Sequence, residues 1–535
     1  MKPRSRRPPG LIATLVAIVF LNLLFSSGDF VEQPLQMLPS AVAVELLVIV
    51  AVFFVVGRPQ GLLLWGLAAL SLAAFALRAT AVAIPWFFGR DLNVAVDARF
   101  VPFFVQLLAN SMPAFEFAAL ALLLFGVVLA AVALVQTALH TVSRAVELQG
   151  WPGLALGLAA LVAGWAAMPK APSTPDERPI VSRDASLAVV QAFDAVLRAE
   201  GLRGAHRARI DAAQAALPDK SDFSALGQRN FVLIFVESYG AITARDPVFA
   251  AKMNPLRSRL QGLLEQAGFA TATGLVRSPI TGGGSWMGHG TLLAGVKIAA
   301  QDAYEVMLVS RSRTLAHRLG EAGYRTLALM PRMDQPWPEG RLLGFAQIRN
   351  QLDLGYRGPR FAWESLPDQW VLDWFARNEL QPAPLFAKIV LASSHTPFER
   401  VPAFLDDWSA FAKADPYKDL PVREFPVRMG QVFDQDAGYL AAVAYSLESA
   451  VRFAADRTDD ETLFIVLGDH QPPLTTARRT GDFSVPIHVF SRARELIEPF
   501  EARGYVPGFA VPPGTATAGM EDFLPGFLAD FGTAK

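Results

Sequence analysis

Residues Glu461–His470 read ETLFIVLGDH. Thr462–Leu467 is a continuous apolar run with branched residues, closed by Gly468. That pattern suits a strand buried on both faces of a parallel sheet. Asp469 and His470 follow at once. A carboxylate and an imidazole at the C-terminal edge of a buried strand are metal-ligand types, placed where open α/β sheets bind ligands. Two other runs end the same way. Asn230–Glu237, NFVLIFVE, stops at Glu237, and Leu385–Ala392, LFAKIVLA, leads through Ser393 and Ser394 to His395. If these strands are parallel neighbours, Glu237, His395, Asp469 and His470 all project toward one rim.

Each residue has a plainer alternative. Glu237 is either a ligand or a cap for the helix that follows. Asp469 is a buried acid, a setting where Asp is rare unless paired, and His470 belongs to the commonest type of metal ligand. His395, in SSHTPF, is a ligand, a donor to a substrate oxygen, or a loop histidine. Thr281–Trp286 reads TGGGSW, three glycines that permit unusual dihedrals and close backbone approach. Ser285 then opens an apolar helical run over Trp286–Val296. There it is either a simple N-cap or an oxygen in the positive potential of a helix N-terminus, where a phosphate is stabilised. A serine is a weak nucleophile until a base or a metal activates it, and Glu237, Asp469 and His470 are placed to hold that metal. Trp337, with Arg332 and Arg341 nearby, is either a substrate-contacting group or ordinary packing. His289, four residues after Ser285, is read as structural or supporting.

The remainder of the chain gives this strand set its context. The 535 residues exceed one ordinary domain, and the 52% hydrophobic content is concentrated before residue 170. A formal net charge of −1 gives no electrostatic case for nucleic acid, and the absence of cysteine excludes disulfides, zinc–thiolate sites and cysteine nucleophiles. Apolar runs at 11–26, 41–57, 61–78, 115–136 and 151–168 predict five membrane spans within residues 1–169. Lys2, Arg4, Arg6 and Arg7 hold the N-terminus in the cytoplasm, so everything after about Pro169 is expected outside it. Arg78, Arg90 and Arg99 then fall on the outer side, against that rule. Val82–Phe88 and Phe100–Ala109 read as short interfacial helices broken by prolines. Residues 170–229 read as a Pro-rich linker and coupling helices, including Ala185–Arg198. Residues 230–535 alternate strand-like and helical runs, which predicts a mostly parallel α/β sheet. Asp406–Arg428 reads as an irregular surface excursion.

This combination resembles lipoteichoic-acid synthase and its relatives, membrane-anchored phosphoglycerol transferases of the alkaline phosphatase-like superfamily, often described as sulfatases. FVLIFVES, TGGGSW and IVLGDH carry the resemblance. It implies an alkaline phosphatase-like domain in which Glu237, Asp469 and His470 ligate a divalent metal (Mn, Mg or Zn). Ser285 would be both nucleophile and ligand, where the synthases use threonine. His395 and Trp337 would contact substrate, with Arg332 or Arg341 substituting for an arginine that the family has close after the tryptophan and this chain lacks. It further implies a membrane phospholipid donor, a glycan or polymer acceptor and a multi-pass inner-membrane protein whose catalytic domain is periplasmic. Phosphoethanolamine transfer, or hydrolysis by a phosphodiesterase or sulfatase of the same superfamily, is the alternative, as is a degenerate non-enzymatic domain. Formylglycine chemistry is disfavoured, because Trp286 and Met287 follow Ser285 and no cysteine is available.

Overall fold

The computed structural model describes residues 9–26, 42–56, 61–88, 90, 92–102, 105, 109, 113–147, 181–182, 184–361, 365–412, 416–418, 420–425, 435–458, 461–473 and 481–532. The chain divides into two compact units, one of residues 1–85 and 90–200, the other of 86–89 and 201–535.

The first unit is helical: α1 (Leu11–Phe25), α2 (Val44–Val56), α3 (Leu62–Phe88) and α4 (Ala114–Glu147). Leu21, Phe25, Leu46, Phe53, Leu64, Val135, Leu139 and Val142 form its small shared core. Most other large apolar side chains point outward: Leu62 is 89% exposed and Leu122 72%. Exposure on that scale is costly in water and ordinary in lipid. Of the five expected spans, two pass on length and composition: Leu62–Pro85, 24 residues, and Ala114–Glu147, 34 residues. Leu11–Phe25 and Val44–Phe54 are shorter apolar helices, and the run at 151–168 lies outside the described residues. A correction concerns Val82–Phe88. It is no separate interfacial helix but the last turns of α3, which runs through Pro85. Proline removes one backbone donor, and an apolar helix tolerates that where local adjustments satisfy the freed carbonyl. Helix α5 (Asp184–Ala215) extends well past the expected Arg198, through an Ala- and Arg-rich stretch of high helix propensity.

The second unit is built on a nine-stranded sheet. Its strands are β1 (Phe231–Val236), β2 (Ala270–Arg277), β3 (Arg325–Met330), β4 (Gln347–Asn350), β5 (Leu385–Leu391), β6 (Leu463–Gly468), β7 (Ser484–Ser491) and the two-residue β8 (Val506–Pro507) and β9 (Ala518–Gly519). The order β4–β3–β5–β1–β6 is parallel throughout. β7 then joins β6 antiparallel, and β2 joins β7 antiparallel. The expectation of a mostly parallel sheet therefore holds for the five strands around the site. The apolar content of β7 and β2 is that of any buried strand and carries no sign of direction.

Helices cover both faces. Phe231, Leu233 and Phe235 of β1 face one core, with Leu292 and Leu293 of α7 (Ser285–Ala294). Val232, Ile234 and Val236 face the other, with α6 (Pro247–Gln266), α10 (Asp368–Asn378) and α11 (Asp436–Arg457). This period-two split is what strand geometry demands of a sheet buried on both sides. The short helices α8 (Gln301–Val309) and α9 (Leu315–Glu321) and the terminal α12 (Phe523–Phe531) complete the first face. The 406–428 stretch needs correction too. Arg400–Val401 pairs antiparallel with Arg423–Glu424, and Trp408, Phe411 and Tyr417 are buried, so the excursion packs aromatic side chains on the second face.

Candidate active site and metal centre

Register assembles the site. Val236 of β1 pairs with Gly468 of β6 and with Leu391 of β5, so Glu237 and Asp469 lie one step beyond the same level. Gly468 is needed for that approach: a Cβ there would lie 1.9 Å from the Tyr239 carbonyl oxygen. Ser238 adopts φ +58°, a left-handed backbone rare outside glycine, and strain of this kind gathers at functional sites. Its N–H donates to Asp469 Oδ1 at 2.8 Å, and its Oγ donates to Glu237 Oε1 at 3.0 Å.

Glu237, Asp469 and His470 are all buried and offer donor atoms within 4.8 Å of one another. The triplet meets the chemical requirements of a cation site. Asp469 Oδ2 is buried, accepts no hydrogen bond among the described residues and lies 3.7 Å from His470 Nε2. His470 Nδ1 donates to the Gln471 carbonyl at 2.7 Å, so Nε2 is the ring atom turned toward the carboxylates and the one that would ligate a cation once deprotonated. Nε2 is 3.3 Å from Glu237 Oε1. Two carboxylates and one imidazole suit Mn, Mg or Zn alike. Protonation follows the same electrostatics. Burial pushes Asp469 up to about 8, helped by the neighbouring Glu237 charge. Burial also disfavours a charged His470, yet Asp469 and Glu237 raise it to about 9. Burial would raise Glu237 as well, but His470 holds it well below the usual carboxylate range.

Ser285 enters from the opposite loop. Gly282, Gly283 and Gly284 have φ of +71°, +150° and +78°, conformations that favour glycine, and they swing the chain into the N-terminus of α7. Ser285 Oγ then lies 3.0 Å from Glu237 Oε2 and 3.2 Å from His470 Nε2. The N-cap of this helix is Gly284, so the cap position has no side chain, and the Ser285 hydroxyl one residue on faces the Glu237 carboxylate. The first-turn N–H groups of α7 make its N-terminus favourable for an anion.

His395 sits at the rim, feeling the charges of Glu237, Arg332 and His470, and burial lowers its pKa. Ser394 beside it donates to the Glu237 carbonyl at 2.6 Å. Trp337 and Arg341 line an open cavity of about 440 Å³ with Asn350 and Asp353. Arg341 Nη1 donates to the Ala346 carbonyl at 2.9 Å.

The sequence reading passed over two buried groups. Asp368 accepts N–H bonds from Ala392 and Ser393 at 2.9 and 3.0 Å and a hydroxyl bond from Ser446, fixing the loop that carries His395. Lys388, fully buried in β5, stands 5.1 Å from the Trp337 ring centre and 5.7 Å from that of Phe235, its Nζ 3.3 Å from Met330 Sδ. A lysine inside LFAKIVL was the available signal. Burial lowers its pKa from 10.5 to about 7, against the pull of Asp469. The unfolded chain therefore binds more protons between pH 7 and 10.5, and stability falls as pH drops through that window. A change from 10.5 to about 7 corresponds to on the order of 5 kcal/mol. Lys388→Met is expected to raise the melting temperature at pH 7 and to flatten its rise toward pH 10; an unchanged slope would show that Lys388 does not titrate there.

No protein-family model matches the chain, and no curated protein matches it. Solved structures do. The chain is similar to the lipoteichoic acid synthase LtaP from Listeria monocytogenes, at 15% identity and TM-score 0.37 over 59% of this chain and 75% of that one. It is also similar to the Streptococcus pyogenes phosphoglycerol transferase GacH in complex with sn-glycerol-1-phosphate, at 12% identity and TM-score 0.36 over 55% and 75%. A third is the C-terminal periplasmic domain of EcEptC from Escherichia coli in complex with Zn, at 12% identity and TM-score 0.37 over 57% and 82%. Strand register brings Glu237, Asp469 and His470 together and the glycine turn adds Ser285, independent of these likenesses.

Proposed function

We propose that the chain is a membrane-anchored, metal-dependent transferase that moves a phosphoglycerol-type head group from a phospholipid to an external glycan or polymer. The observation that carries this reading is Ser285 Oγ, within 3.2 Å of both a buried carboxylate and an imidazole at a helix N-terminus. Glu237, Asp469, His470 and Ser285 would hold a divalent cation, which when bound supplies Lewis acidity to the phosphoryl oxygens and lowers the serine pKa. Glu237 accepts the Ser285 hydrogen bond and orients the oxygen toward phosphorus. The Ser285 O–P bond forms, the P–O bond to diacylglycerol breaks, and the serine proton ends on the diacylglycerol hydroxyl. The first-turn N–H groups of α7 favour the charge on phosphorus oxygens, and His395 at the rim is placed to donate to one of them. An acceptor hydroxyl then attacks phosphorus and releases Ser285. The outward apolar surfaces of α3 and α4 support a lipid donor, and five spans with residues after about 169 outside the cytoplasm complete the proposal.

Phospholipid labelled in its head group tests it. Label should move to glycan when glycan is present, and label found only in water-soluble head group would make the chain a hydrolase. Chelation should abolish either activity, and an added divalent cation should restore it. The same cation at 100 times its Kd should stabilise the protein by about 2.7 kcal/mol. In Glu237→Gln that thermal shift should vanish, whereas a shift equal to wild type would remove Glu237 from the metal site.

A further inference from the structure

Helix α5 wears its apolar residues on the wrong side for a helix in water. At 100° per residue, Val189, Val190, Phe193, Val196 and Leu197 fall within an arc of about 120°. All five are exposed, from 43% at Val189 to 67% at Leu197. The residues turned inward are small: Ala185 and Ala188 are buried, and Ala185 joins the core of the first unit. A third face carries Gln191 and Asp194 paired to Arg198 at 2.6 Å, with one leucine, Leu187 at 36% exposed, among them. Small residues inside and large apolar residues outside invert the usual order, and the degree of exposure is that of the apolar side chains of α4, 52–72% over Leu122–Leu129.

The start of α5 is fixed to the end of an apolar helix. Val181 and Ser182 pair parallel with Val42 and Ala43, immediately before α2, and the Ser186 N–H donates to Glu45 Oε1 at 2.7 Å. The apolar arc therefore begins level with the N-terminal end of α2, beside a carboxylate that marks a polar boundary. We infer that residues 185–198 form an in-plane interfacial helix, lying in the headgroup layer of the bilayer with Val189, Val190, Phe193, Val196 and Leu197 in the acyl boundary and Gln191, Asp194 and Arg198 in water. Charge within the stretch fits a helix on the surface and not one crossing it. This inference rests on the membrane reading given above.

The chain has no cysteine, so single labels report cleanly. Cysteine is introduced one site at a time (Val190→Cys, Phe193→Cys, Leu197→Cys, Gln191→Cys, Asp194→Cys) in the full chain, spin-labelled, and reconstituted in phosphatidylcholine–phosphatidylglycerol vesicles. Collision with oxygen, which partitions into lipid, is compared with collision with a water-soluble nickel chelate. The arc labels should favour oxygen several-fold and the polar-face labels nickel, alternating with the helical period. Nickel access equal at all five sites would overturn the inference, as would arc labels shielded from both reagents, which would mean a protein cover. Leu124→Cys in α4 separates the two readings. Oxygen preference at 124 with nickel access along the arc removes only the interfacial helix, whereas nickel access at both removes the membrane reading and this inference with it.

Discussion

Ser285→Ala should lower transfer from labelled phospholipid by about 10⁴-fold or more while leaving the protein folded. Removing the oxygen removes the hydroxyl proposed to attack phosphorus. The carboxylate it leaves retains a donor, since Ser238 Oγ still bonds Glu237 Oε1 at 3.0 Å. The stability change should therefore be about 1 kcal/mol or less. Ser238→Ala is the matched control. Ser238 rests on the same carboxylate but is buried, so its loss should cost far less activity than loss of the half-buried Ser285. Equal losses in the two variants would mean that the hydroxyl at 285 only supports Glu237. Activity of Ser285→Ala near wild type would remove the residue from the chemistry.

Gly468→Ala is expected to give the largest structural effect of any single methyl in the second unit. The added Cβ would meet the Tyr239 carbonyl oxygen at 1.9 Å and Val485 Cβ at 3.1 Å. The first obstacle is backbone, with no rotamer to yield, so β6 and the Ser238–Tyr239 turn must part. The cost should be about 3 kcal/mol or more, read as a lowered unfolding midpoint. Asp469 and His470 follow directly on Gly468, and a shift of about 1 Å in such groups is worth roughly 100-fold in rate. Both losses should appear together. A variant that keeps wild-type stability and rate would show that the close approach of β6 to Tyr239 is not required.

What the sequence disclosed depended on how local its signals were. The end of Phe231–Val236 falls where its apolar run meets Glu237, and the structure sets it at that residue. Glu237, Ser285, Asp469 and His470 were legible as candidates because each interrupts or follows such a run. Their meeting required the order β5–β1–β6, which only pairing supplies. Strand β4 was invisible, since QIRN is half-buried and polar. The direction of β7 was invisible because ladder direction leaves no mark on composition. Pro85 was read as a break, yet the apolar residues around it keep α3 helical through Phe88. Trp337 illustrates a different limit: its ring is buried beside Lys388 and lines a cavity with Arg341, a placement no motif spacing encodes.

The central claim is that side chains far apart in the chain converge on one cation, with a serine oxygen among its neighbours. Anomalous diffraction from crystals grown with manganese addresses it directly. One strong peak is predicted within bonding distance of Glu237, Asp469 and His470 and beside Ser285 Oγ. No peak there, or a peak that excludes these residues, would contradict the account.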